Sequence, residues 1–138
     1  MVTYLLIVVL RVIAGEAMAK TLLVEDSLHF RQLLRDHLKD RFPSMAVEEA
    51  SDGIEAMSKV DAFCPDLIFM DIRLPGVSGL ELTKRIKSRC PDIHIIVLTS
   101  YDLPEYRETA RNYGADHFVA KGSTTMEEIL TLTKAYVS

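Results

Sequence analysis

Beyond residue 19 the apolar positions follow two alternating periods. Short apolar runs recur at TLLVE (21–25), MAVEEA (45–50), DLIFM (66–70), IHIIVLT (93–99) and HFVAK (117–121). Most are rich in β-branched or large apolar residues, as expected of strands covered on both faces. The stretches between them carry helical spacing. Phe30, Leu33, Leu34 and Leu38 fall at i, i+3, i+4 and i+8, Leu82 and Ile86 are four apart, and Met126, Ile129 and Leu130 repeat the pattern. Thr124 followed by Glu127 has the spacing of a capping box opening the last helix. Gly53, Gly76, Gly79, Gly114 and Gly122 punctuate the connections. Strand–helix alternation of this kind predicts parallel strands joined by right-handed helical crossovers, a doubly wound α/β sheet.

Length and composition narrow the picture. The 138 residues suffice for one domain with its own core, and 49% hydrophobic with 26% charged residues fits a globular chain. The net charge is −4 and the basic residues are scattered, so no direct nucleic-acid binding is expected. Cys64 and Cys90 form no CxxC pair and read as free, half-buried structural thiols in a reducing compartment. The four histidines lack ligand spacing, which argues against a dedicated zinc or iron site. Residues 1–18 stand apart from the domain expected over 19–138. Their apolar run is interrupted by Arg11, is too short to span a membrane, and closes on the small-residue triplet Ala17-Met18-Ala19. It reads as an export signal, as sequence upstream of a natural start at Met18, or as an apolar face needing a partner.

Doubly wound sheets place ligands at the carboxyl ends of their strands. There the chain sets Glu25-Asp26 after the first run, Asp71 after the third, Thr99-Ser100 after the fourth and Lys121 after the fifth. Each alone reads equally well as a solvated loop residue. Together they would bring three carboxylates, a hydroxyl and an ammonium to one rim. Acidic groups so placed raise one another's pKa unless a cation sits among them, and hard oxygen donors beside water suit Mg²⁺.

The stretches LLVEDS, DLIFMDIRLPGVSGLEL, IIVLTS and GADHFVAKG, each after its expected strand and in this order, resemble the receiver domain of two-component response regulators, the fold of the chemotaxis regulator. The resemblance covers about Ala19 to Val137. It implies a flavodoxin-like receiver fold of five parallel strands in the order 2-1-3-4-5. By the same resemblance Asp71 is the phosphoacceptor and Asp26 a direct Mg²⁺ ligand. Glu25 is the acidic neighbour acting through water, and the backbone carbonyl of Arg73 a further metal contact. Thr99 meets a phosphoryl oxygen, Lys121 pairs with the phosphoryl group, and Phe118, with Thr99, is the aromatic switch. Such a domain is a signalling module rather than an enzyme with a separate substrate. It works in the cytoplasm, not at a membrane, takes phosphate from a histidine kinase or histidine phosphotransferase, and signals through helix 4, strand 5 and helix 5 to a protein partner or a homodimer.

The chain also departs from the family. Gly122 stands where a proline, often after a cis bond, usually follows the lysine, which implies a looser loop. Arg73 and Tyr101, two residues beyond Asp71 and Thr99, would shield an acyl phosphate from water. Aspartate-nucleophile phosphatases need a second aspartate where Arg73 stands. A flavin carrier needs a phosphate cradle in place of EDSLHF. A pseudo-receiver that binds partners without phosphate is the remaining alternative. The end at TKAYVS fits a stand-alone receiver or one cut from a longer regulator.

Overall fold

The computed structural model describes Thr3, Leu5, Leu6 and residues 19–137. The expectations for the leader therefore lie almost wholly outside the described residues. The elements run β1 (Lys20–Val24), α1 (Leu28–Arg41), β2 (Ala46–Ala50), α2 (Gly53–Phe63), β3 (Leu67–Met70), α3 (Gly79–Arg89), β4 (His94–Thr99), α4 (Pro104–Asn112), β5 (His117–Ala120) and α5 (Met126–Val137). The five strands form one sheet in the order β2-β1-β3-β4-β5, each pairing parallel. Both the doubly wound class and the strand order implied by the resemblance are present.

The near-continuous apolar runs have a direct cause. Alternate strand residues face opposite layers, and both layers are covered. Leu22, Val24, Ile68, Met70, Ile95 and Val97 pack with Val60, Leu82, Ile86 and Ala110 from α2, α3 and α4. Leu23, Phe69, Ile96 and Leu98 pack with Leu34 and Leu38 of α1 and with Ile129 and Leu130 of α5. The edge strand β2 is less apolar, and its carboxylates are paired on both sides. Glu49 meets Arg31 and Arg35 of α1, while Glu48 meets Lys59 of α2.

Three local expectations are corrected. Leu33 is exposed, because the face of α1 that turns inward runs through Phe30, Leu34 and Leu38. The last helix is capped one residue later than expected. The Thr125 hydroxyl accepts from the Glu128 N–H at 3.1 Å, and Thr125-x-x-Glu128 has the same spacing as the Thr124 pair. Cys64 is exposed, not half-buried, since it ends α2 in a left-handed conformation with φ 50°; Cys90 is half-buried, and both thiols are free.

Candidate functional site

The site is built where β1, β3 and β5 end. Asp71 follows the fully buried β3 and is itself buried. Its Oδ1 accepts from the Ile72 N–H at 2.7 Å. Its Oδ2 accepts from the Lys121 ammonium at 3.2 Å. The same ammonium donates to Glu25 Oε2 at 2.9 Å, so one cation serves two buried carboxylates. Burial, then the hydrogen-bonding Asp71 carboxyl, push Glu25 up to about 7 against the opposing pull of Lys121.

Backbone contacts fix this arrangement from below. The Asp71 N–H donates to Val24 O at 3.0 Å, and the Lys121 N–H donates to Thr99 O at 2.8 Å. The Glu25 carbonyl is held by Arg31 at 2.6 Å, and Arg31 in turn pairs with Glu49 at 2.9 Å. The Ser27 N–H donates to Glu25 Oε1 at 3.2 Å, and the Ser27 hydroxyl caps α1 by accepting from the Phe30 N–H at 3.3 Å.

Of the sequence-predicted residues, Glu25, Asp71 and Lys121 are in direct contact. Thr99 is fully buried beside them on the neighbouring strand, its hydroxyl accepting from the Tyr101 N–H at 3.3 Å. Asp26 and Arg73 lie at the exposed mouth. The Arg73 guanidinium is stacked over the Tyr101 ring, 4.3 Å from its centroid, so the two expected shielding residues contact each other. Phe118 is half-buried against the opposite layer, with Arg107 lying 4.7 Å over its ring. No peptide bond among the described residues is cis, and Gly122 is exposed with open space around it.

Chemistry of this kind fits a hard divalent cation. Two buried carboxylates share one ammonium beside the exposed Asp26, a set of hard oxygen donors that suits such a cation. Among the described residues, no three acidic or imidazole groups are already gathered in a metal-holding array, and Asp26 stands apart from the Glu25–Asp71–Lys121 contact.

Two contributors escaped the sequence reading. Gly79 opens α3, and a Cβ there would overlap the carbonyl oxygen of Asp71, so only glycine lets this helix approach the end of β3. Its signal was a glycine at a helix start, directly after the capping Ser78. Phe30 lies beneath Lys121, its ring centroid 4.2 Å from the ammonium. Helical periodicity marked Phe30 only as a core residue.

The family model of the response regulator receiver domain matches residues 21–134. The chain belongs to this family. It is 40% identical over 105 residues to the chemotaxis protein CheY of Halobacterium salinarum, covering 75% of this chain and 86% of that protein. It is 33% identical over 116 residues to the response regulator MprA of Mycobacterium avium, covering 84% of this chain and 50% of MprA. The chain thus spans half the length of that regulator. Among solved structures it is similar to the Thermotoga maritima response regulator TrrA in complex with Mg(2+)-BeF, at 32% identity and TM-score 0.76, covering 87% of this chain and all of that one. It is likewise similar to the Vibrio cholerae chemotaxis protein CheY4, at 31% identity and TM-score 0.78, covering 88% of this chain and all of that one. The receiver family is a signalling module of two-component systems. Among the described residues no helix is long and apolar enough to cross a membrane.

Proposed function

We propose that this receiver domain accepts a phosphoryl group on Asp71 from a histidine kinase or histidine phosphotransferase and signals in the cytoplasm through protein contacts. The observation that carries the reading is the Asp71 carboxylate, buried at the end of β3 and held by an ammonium shared with Glu25. Asp71, as a carboxylate, attacks phosphorus; the bond to the donor's nitrogen or oxygen breaks, the donor leaves with the electron pair, and an acyl phosphate remains. Lys121 and the Thr99 hydroxyl would take up phosphoryl oxygens, which spreads the charge of the transition state. Asp26, Asp71 and the Arg73 carbonyl, with Glu25 through water, would hold Mg²⁺, which supplies further neutralisation of that charge.

Output would run from Thr99, at the carboxyl end of β4, to Phe118, which lies on the adjacent β5 opposite Val97. Movement of Thr99 toward a phosphoryl group would free space for Phe118. The phosphoryl group shifts that population only by the extra interactions the active state makes with it. The face that changes is α4, β5 and α5, and it would meet a partner protein or a second receiver. The intact acidic pair, Thr99 and Lys121 disfavour a pseudo-receiver that never takes phosphate. Intact-mass measurement after acetyl phosphate and Mg²⁺ tests the reading. One phosphoryl adduct is expected, absent from Asp71→Asn and from Asp26→Ala. An adduct retained by Asp71→Asn would place the acceptor elsewhere.

A further inference from the structure

Lys121 sits at the head of an exposed turn, its backbone held to β4 by the bond to Thr99 O. Gly122 is exposed and has open space around its Cα, and a 3.3 Å bond from the Ser123 N–H to Ala120 O closes the turn. The ammonium is nevertheless held closely, with 14% of its side chain exposed. Its two carboxylate contacts account for direction, but one of them, Asp71, is the group that becomes an acyl phosphate in the proposed chemistry. The third contact does not change. The Phe30 ring lies 4.2 Å from the ammonium, and Phe30 is fixed by the Ser27 cap, which is itself tied to Glu25. Glu25, Ser27, Phe30 and Lys121 thereby close a ring of contacts across the β1–α1 loop and the end of β5.

We infer that Phe30 is a positioning residue, its aromatic face holding the Lys121 ammonium at the site through the exchange of its anionic partners. A ring quadrupole attracts the cation without competing for hydrogen-bond donors. All three N–H groups of Lys121 therefore stay available, first to Glu25 and Asp71 and then to phosphoryl oxygens. Half-buried in the layer beneath α1, the ring also keeps water from the ammonium, which strengthens both kinds of contact. Its effect on phosphoryl uptake rests on the function proposed above, whereas the grip on Lys121 does not.

The test compares Phe30→Leu, which keeps bulk and apolarity, with Phe30→Tyr, which keeps the face. Ring current from Phe30 should move the Lys121 Hε and Cε resonances upfield in the unphosphorylated protein. Phe30→Leu should return them toward free lysine and Phe30→Tyr should preserve them. Uptake from saturating acetyl phosphate should slow about three- to tenfold in the leucine variant and recover in the tyrosine variant, with Mg²⁺ affinity unchanged in both. Unmoved Lys121 resonances in Phe30→Leu, or a tyrosine variant as slow as the leucine one, would overturn the inference. Should the parent take no phosphoryl group at all while the resonances behave as expected, the proposed function falls and the grip of Phe30 on Lys121 stands.

Discussion

The two ends of the sheet carry similar polar groups in opposite electrostatic balance. At the amino ends of β4 and β5, Asp116 accepts from the Ile95 N–H at 2.8 Å and pairs with Lys87 at 3.3 Å and with His94 at 3.4 Å. Burial pushes this carboxyl up, but the Ile95 N–H and then Lys87 outweigh it, and its pKa ends below the ordinary value. At the carboxyl ends two carboxylates share one ammonium, and Glu25 is pushed up to about 7. One rim gives a single acid a lysine, a histidine and a backbone N–H, while the other has two acids share one lysine. The first arrangement compensates its carboxylate fully, and the second has two carboxylates divide one cation. A carboxyl perturbed by burial and by a neighbouring acid at a strand-end rim is where chemistry is expected.

Removing the lysine from each rim should separate the two most widely. Lys121→Met leaves Glu25 and Asp71 facing each other without a cation. It should cost about 3 kcal/mol of urea-unfolding stability near pH 8, and much less near pH 5, where one carboxyl takes a proton. Lys87→Met should cost about 1 kcal/mol at both, because Asp116 keeps the Ile95 N–H. Equal losses with the same pH profile would erase the distinction.

Gly79→Ala sharpens the comparison from the backbone side. The new Cβ meets the Asp71 carbonyl, not a movable side chain, so the loss should be about 2–3 kcal/mol by urea unfolding, with slowed phosphoryl uptake. The same substitution at Gly122, which has open space around it, should cost little. The smallest effect is expected at the mouth. Cutting Arg73 and Tyr101 together to alanine should speed loss of the phosphoryl group severalfold, about 1 kcal/mol in the barrier, without harming uptake. Phosphate-release kinetics of the double variant check this.

Much of this was legible along the chain, for reasons particular residues make clear. The strand periods were plain because both sheet faces are covered, and their carboxyl ends brought Glu25, Asp71, Thr99 and Lys121 to one rim, with the resemblance adding the roles. Asp26 and the Arg73 side chain are exposed at the mouth, and exposure at a loop is not encoded in spacing. Leu33 misled because three- and four-residue spacings both satisfy a helical pattern, and only packing against β1 and β3 selects Leu34 and Leu38. Gly79 and Phe30 were hidden for a different reason. Each acts through a neighbour distant in sequence, Asp71 for the glycine and Lys121 for the aromatic ring.

The contrast is tested most directly by unfolding stability against pH in chelator, for the parent and Asp71→Asn. A carboxyl whose folded pKa is raised binds more protons folded than unfolded, so its contribution is present at low pH and lost as pH rises. For Glu25 that window runs from about 4.5 to about 7. In Asp71→Asn burial still acts on Glu25 but the Asp71 contribution is gone, so the decline should be shallower and the variant more stable than the parent near pH 8. A parent curve that is flat or rising through this window, or an Asp71→Asn variant less stable than the parent near pH 8, would contradict the account.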